Sequence, residues 1–184
     1  MARDEEYYEV YTEISELLLR AYYDVTVYQG IIDSAVVVQR MSSESQGVIS
    51  HYSDLLKDDL GLSLWKIHDK GKDVYNIHYL ENYLASKYEK RQNYKYSAEI
   101  NSMLENDLRQ IRKVRLAHNL KNKGEASIEV STLRKALDET RERLNKMCYP
   151  DLDDRLVPVD DAKLFALSMS AGLGVRRLLQ NYKE

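Results

Sequence analysis

The sequence is poor in the residues that interrupt helices and in the residue that cross-links chains. Its 184 residues include seven glycines, two prolines and a single cysteine, Cys148. One cysteine cannot form a disulfide within the chain, and such a count is typical of a reducing compartment. The scarcity of proline and glycine leaves long stretches that are free to form uninterrupted helices.

Long apolar runs are also missing. The strongest candidate, around Ala35 to Val38, is short and lies between Asp33 and Arg40, whereas a membrane-spanning helix needs about 20 apolar residues. The first residues, MARDEEYYEV, lack the charged-then-apolar pattern of a secretion signal. We therefore expect a cytoplasmic protein with no membrane segment.

The net charge of −3 is small and argues against general coating of nucleic acid. Its distribution is uneven, because residues 109–123 hold six Lys or Arg and no acid, while the first sixteen residues hold six acids. A mildly acidic chain with one concentrated basic segment indicates a local anionic ligand.

Apolar residues recur with a helical period along most of the chain. The pattern predicts a first helix to about residue 40, in which Gly30 is a possible interruption and DVTVYQ is the only strand-like stretch. A capping box at Ser43–Gln46 predicts the start of a second helix, which ends by Lys72. A third, shorter helix carries Tyr75, Tyr79 and Tyr83.

The second half of the sequence predicts three more helices. The fourth begins near Ser97 and ends between residues 118 and 124. The fifth covers about residues 127–147, and the sixth follows Asp160 or Asp161, which suit an N-cap. In the fifth, the pattern places three leucines inward (Leu133, Leu137, Leu144) and five charged residues outward (Arg134, Lys135, Arg141, Glu142, Arg143). The prediction is an all-α antiparallel helical bundle with an additional C-terminal helix.

The stretch RKVRLAHN, residues 112–119, is the strongest functional signal. Arg109, Arg112 and Arg115 form a basic ridge at helical spacing. His118 continues the apolar stripe that should face the core, so periodicity alone favours a partly buried structural histidine. A spacing of six rotates Arg112 and His118 by about 240° on a straight helix, so they do not share a face.

Arg112-x5-His118, with Ala117 before the histidine and the lead-in Leu108-Arg-Gln-Ile111, resembles the ribonuclease signature of HEPN domains, most closely the abortive-infection type. The resemblance covers roughly residues 5–147. It implies a HEPN-like bundle over residues 1–149. The final helix lies outside the resemblance, and we expect residues 150–184, an acidic, proline-containing loop and a helix, to pack on the bundle. It also implies a defence or toxin–antitoxin setting with a possible antitoxin partner.

The resemblance further implies a homodimer that cleaves RNA without a metal or another cofactor. His118 would transfer protons and Arg112 would hold the scissile phosphate. The family pairs its motif helices across a two-fold axis, so the two residues need not converge within one chain. Four neighbours would bind the RNA: Arg109, Lys113, Arg115 and Asn119.

Two alternatives remain open from the residues. Lys113 stands where HEPN nucleases commonly carry Asn, Asp or His, which favours a non-catalytic HEPN-like module that binds nucleotide, RNA or a protein partner. Glu13-x-x-Glu16 supplies half of the carboxylate set of a magnesium-dependent nucleotide pyrophosphohydrolase.

A second basic stretch, residues 87–96, interleaves four cations with three tyrosines, which suits either a nucleic-acid strand or a solvated connector.

Overall fold

A computed structural model describes residues 3–71, 74–107 and 129–181 of the chain. Within these ranges the backbone forms helices and loops and no β-strand, which confirms the all-α class. A π-helical turn, Met103–Asp107, directly follows the short helix Ala98–Ser102. The helices are α1 Glu5–Asp33, α2 Ala35–Val38, α3 Ser43–His68, α4 Ile77–Tyr88, α5 Ala98–Ser102, α6 Val130–Asn145 and α7 Asp161–Asn181.

The central element is α1, which contacts α3, α4, α6 and α7. The strand-like DVTVYQ lies inside it and is helical, because Val25 and Val27 continue the buried face of the helix. Gly30 does not interrupt α1 either. A Cβ at this position would lie 3.0 Å from Cγ2 of Val175, so the glycine lets α7 approach closely.

The first helix ends at Asp33, whereas the periodicity predicts an end at about residue 40. The hydroxyl of Ser34 donates to the Gly30 carbonyl at 2.8 Å, and the Ser34 backbone N–H donates to the Ile31 carbonyl at 3.1 Å. Such local bonds from serine compete with the regular helical ladder. The valine run that follows forms the single turn of α2.

The third helix runs antiparallel to α1, because Ile49 near its start clusters with Ile31, and Asp59 near its end pairs with Arg20 at 2.6 Å. Its N-cap is Ser42, whose side chain accepts from the Ser45 N–H. The predicted Ser43–Gln46 capping box is therefore wrong by one residue. Gln46 instead donates from its side chain to the Met41 carbonyl at 2.9 Å.

Helices α6 and α7 cover further faces of α1. The hydroxyl of Tyr22 donates to Asp138 at 2.6 Å, and that of Tyr7 donates to the Met147 carbonyl, so α6 is antiparallel to α1. The three leucines predicted to face inward on α6 are buried. The side chain of Asp160 accepts from the Lys163 N–H at 2.9 Å, which confirms the N-cap predicted for the last helix.

Candidate functional site

The motif that directs the functional prediction lies in residues 108–128, outside the described residues. The roles assigned to it therefore stay predictions. This segment joins the π-helical turn after α5 to the start of α6 at Val130. The affected site residues are Arg109, Arg112, Lys113, Arg115, His118 and Asn119.

The structure describes the other three histidines, and His68 at the end of α3 is the most constrained. Its Nε2 lies 3.0 Å from Oγ1 of Thr140, and its ring packs edge-on against Tyr96 with the centroids 5.2 Å apart. Burial, reinforced by the positive charge of Arg143, lowers the pKa of His68 to about 3. The imidazole is therefore neutral at pH 7 and serves packing between α3, α6 and the loop before α5.

Arg143 is the centre of this buried polar cluster. Only 6% of the residue is exposed, and its guanidinium donates to both carboxylate oxygens of Glu81 at 2.8 and 2.5 Å. The prediction that Arg143 faces outward is wrong, because Glu81 on α4 supplies the charge that permits burial. The guanidinium also lies over the ring of Tyr96, 5.0 Å from its centroid.

His78 connects this cluster to the surface. Its Nδ1 lies 3.8 Å from Oε2 of Glu81. Burial, and then the charge of Arg143, lower the pKa of His78, although Glu81 acts in the opposite direction. A proton on His78 is thus disfavoured in the folded protein.

A cavity of about 630 Å³ opens beside His78. Tyr79 and Tyr83 stack on one side of it, with centroids 6.4 Å apart and planes 17° from parallel. The amide of Asn76 is buried and bonded within the chain, because it accepts from the Tyr79 N–H and donates to the Val74 carbonyl. The exposed amide of Asn82 and the imidazole of His78 supply polar groups, and the rings supply flat apolar surface, so the lining suits a planar polar ligand. The lining residues are Lys70, Gly71, Asn76, His78, Tyr79, Asn82, Tyr83 and Ser86.

The basic, tyrosine-containing residues 87–96 lie mostly in the loop between α4 and α5. Lys87 pairs with Asp4 at 3.1 Å, and Lys90 pairs with Asp151 at 2.9 Å while lying over the ring of Tyr149. Two of the four cations in this stretch thus pair with acids of the chain, while Arg91 and Lys95 are exposed.

The acids of α1 do not form the magnesium site that the pyrophosphohydrolase alternative requires. Glu9, Glu13 and Glu16 are exposed, and Glu5 pairs with Arg155 at 2.5 Å. Among residues 3–71, 74–107 and 129–181, no three His, Cys, Asp or Glu side chains are grouped so that they could hold a metal ion. Burial raises the pKa of Cys148, which disfavours the thiolate that a nucleophile requires.

Comparison with family models, with curated proteins and with solved structures finds no match to this chain. None of the helices in the described ranges combines the length and the apolar composition that a bilayer crossing requires. The resemblance to HEPN domains therefore rests on the sequence around Arg112 and His118, and the all-helical class is compatible with it.

Proposed function

We propose that the protein is a HEPN-type, metal-independent endoribonuclease that acts through Arg112 and His118. The observation that carries the proposal is the Arg112-x5-His118 motif inside residues 109–123, a stretch with six cations and no acid in a chain whose net charge is −3. RNA is a polyanion, and a concentrated basic segment is the feature that binds it. The all-helical fold agrees with the expectation.

The environments of the other histidines support His118 as the proton-transfer group. His68 is held between Thr140 and Tyr96 and is neutral at pH 7. His78 lies beside Glu81, whose carboxylate is already paired with Arg143. His51 is exposed on α3, but no Lys or Arg lies within five residues of it in sequence. His68 also has cations nearby in sequence, Lys66 and Lys70, but its imidazole is buried and Asp69 adjoins it. His118 differs in lying within a stretch of six cations and no acid.

The proposed reaction needs no metal. A base removes the proton of the ribose 2′-hydroxyl, whose oxygen then bonds to the adjacent phosphorus. The bond from phosphorus to the 5′-oxygen breaks, and an acid protonates that leaving oxygen, so the products carry a 2′,3′-cyclic phosphate and a 5′-hydroxyl. His118 moves these protons, and Arg112 neutralises the charge that builds on the phosphate. Arg109, Lys113, Arg115 and Asn119 hold the RNA.

Two copies of the motif contribute to one site across a two-fold axis in this proposal. Arg112 and His118 do not share a face of one straight helix. In a two-fold dimer, Arg112 of one copy can lie beside His118 of the other. The same proposal gives the protein a place in cellular defence, where a cleaving toxin is held inactive by an antitoxin partner.

Cleavage of RNA in EDTA by purified protein tests this proposal. We expect His118→Ala to lower the cleavage rate by at least about 100-fold, since general acid–base catalysis contributes roughly 10²–10⁴-fold. Arg112→Ala should lower it comparably. The matched controls, His51→Ala and Arg40→Ala, replace exposed residues and should leave the rate unchanged. Cleavage that persists in His118→Ala, or that is absent from the wild type, rejects the nuclease.

A second candidate is a non-catalytic helical module that binds a nucleotide or RNA. The cavity beside α4 favours it, because stacked Tyr79 and Tyr83 adjoin the amide of Asn82 and the imidazole of His78. This candidate predicts binding of labelled oligonucleotides or nucleotides without product, weakened by Asn82→Ala as well as by Arg112→Ala. Loss of binding in Arg112→Ala alone would remove the cavity from the proposal.

A further inference from the structure

A second cavity opens at the end of the bundle where α1, α2 and α3 meet. Its volume is about 580 Å³, which lies in the range of about 300–1,000 Å³ that is usual for small-molecule sites. Ile31 and Ile49 are buried in its lining, and half-buried Tyr28 and Val38 pack against them. Ile32 also lines the cavity and is 49% exposed. The cavity therefore has an apolar floor that a ligand can cover.

Hydrogen bonds hold the walls of this cavity in place. The side-chain amide of Gln46 donates to the carbonyls of Gln39 and Met41, at 3.3 and 2.9 Å, and so joins the first turn of α3 to the chain that follows α2. The hydroxyl of Ser53 donates to the Ile49 carbonyl at 2.9 Å. These bonds form the cavity within the chain itself, as is usual for small-molecule sites.

The polar groups of the lining are rich in acceptors. Both amide hydrogens of Gln46 and the hydroxyl hydrogen of Ser53 are used within the chain, so the oxygens of these side chains are left as acceptors. Gln39 and Ser50 can donate or accept. Asp54 is exposed and carries the only charge among the twelve described residues that line the cavity. This lining favours a ligand that donates hydrogen bonds and carries a positive charge.

We propose that this cavity binds a small organic cation, a primary amine with a compact apolar body. The ammonium group lies beside Asp54, and the body covers the apolar floor. Burial of the body supplies most of the affinity, because an ion pair with an exposed carboxylate contributes little. The charge of Asp54 sets the preference for an amine. The inference uses described residues only and does not depend on Arg112, on His118 or on the cavity beside α4.

Three probes of similar shape and different charge test the ligand class: phenethylamine, phenethyl alcohol and phenylacetate. Ligands of this size bind in the millimolar range, because affinity is limited per atom, and isothermal titration calorimetry measures it. We expect the amine to bind about fivefold more tightly than the alcohol, and the carboxylate to bind most weakly. The preference should shrink as salt is added. Equal binding of the amine and the carboxylate, or no binding of the amine in the millimolar range, would overturn the proposal.

Asp54→Asn tests the residue that selects the charge. This variant should bind the amine as weakly as the wild type binds the alcohol, and its affinity for the alcohol should stay unchanged. The matched control is Glu16→Gln, which removes an exposed carboxylate of α1 that does not line the cavity. It should keep the preference for the amine. An equal loss of that preference in the two variants would show attraction to the net negative charge of the chain and reject a site at Asp54.

Gly47 offers a way to fill the cavity without removing a contact. It lies in α3 and lines the cavity, and a Cβ at this position would meet no described atom within 4 Å. Gly47→Leu should weaken binding of the amine and the alcohol by at least about tenfold, because the leucine occupies the space of the ligand. Leucine favours a helix more than glycine does, so the thermal unfolding midpoint should not fall.

The matched control for Gly47→Leu is Gly172→Leu, since Gly172 is a helical glycine of α7 with equally open space around its Cβ position. This control should bind the amine as the wild type does. Wild-type affinity in Gly47→Leu, or an equal loss in both variants, would reject the cavity as the binding site. Sedimentation equilibrium adds one more outcome, because a wild-type dimer that Gly47→Leu dissociates would assign the cavity to a second copy of the chain and overturn the proposal.

Discussion

Asp4, the N-cap of α1, and Asp24, twenty residues later within α1, are both buried. The pKa of Asp4 is lowered from its ordinary value, whereas the pKa of Asp24 is raised. Asp4 caps the helix and accepts from the hydroxyl of Tyr88 at 2.5 Å, from that of Tyr83 and from the ammonium of Lys87. Burial acts to raise the pKa of Asp4, yet these donors together outweigh it and lower the pKa. Asp4 therefore stays charged because three side-chain donors and the backbone N–H of Tyr7 converge on it.

Asp24 lacks such donors. Its Oδ2 is buried without a hydrogen-bond partner among the described residues. Burial, and then the negative charge of Asp59, raise the pKa of Asp24 to about 6, although Arg20 acts to lower it. The comparison shows that the supply of donors, more than the depth of burial, decides whether a buried carboxylate stabilises the fold.

The largest effect in this comparison is expected at Asp4. Asp4→Ala removes the α1 cap and leaves the donors without an acceptor, so the free energy of unfolding should fall by about 2–3 kcal/mol at pH 7. Because the folded pKa is lowered, this contribution is present above the unfolded pKa and is lost as pH falls through the folded value. Urea unfolding at pH 7 and pH 3 measures both.

The control for Asp4 is Asp33→Ala, which removes an exposed carboxylate at the other end of α1. It should change the free energy of unfolding by no more than about 0.5 kcal/mol, as exposed substitutions usually do. Equal losses at the two positions would show that the converging donors contribute nothing beyond an ordinary surface carboxylate.

The next effect has the opposite sign. Asp24→Asn should raise the free energy of unfolding by about 1–2 kcal/mol at pH 7.5, because the variant cannot carry the ionised form that burial opposes. The folded pKa of about 6 lies above the ordinary value of 3.8, so wild-type stability from the protonated form is lost as pH rises through 6. The gain in the variant should therefore appear between about pH 4 and pH 7 and vanish below pH 4. Matched urea titrations at pH 3.5 and 7.5 measure it, and a gain that does not depend on pH would contradict the role given to Asp24.

The helices themselves were largely predictable from the sequence, because the apolar stripes of α1 and α6 repeat over many turns and leave one solution for the buried face. Helix ends were less predictable. The hydroxyl of Ser34 and the cap at Ser42 each decide a boundary through one local bond, and adjacent serines compete for such a role. Asp160 was predictable because its only rival as a cap was the next residue.

The polar cluster could not be predicted, because its members come from distant parts of the sequence. Arg143 and Glu81 are 62 residues apart, and Thr140 is 72 residues from His68. A charged side chain such as that of Arg143 is normally assigned to the solvent side, and only a known partner reverses that assignment. Conversely, the Arg112-x5-His118 motif is visible in sequence but lies outside the described residues.

The smallest expected effect isolates one donor to Asp4. Tyr88→Phe removes a hydroxyl that donates to Oδ2 and leaves the ring. Because the other donors to Asp4 remain, the free energy of unfolding should fall by about 1 kcal/mol, the usual net contribution of one hydrogen bond. The matched variant Tyr94→Phe removes a hydroxyl that lies 3.4 Å from Glu142 at the surface, and it should have a smaller effect. If Tyr88→Phe costs no more than Tyr94→Phe at pH 7, the remaining donors suffice to hold the Asp4 carboxylate. If the bond does stabilise the fold, Tyr88→Phe should cost less in an Asp4→Ala background than in the wild type, because its acceptor is already gone.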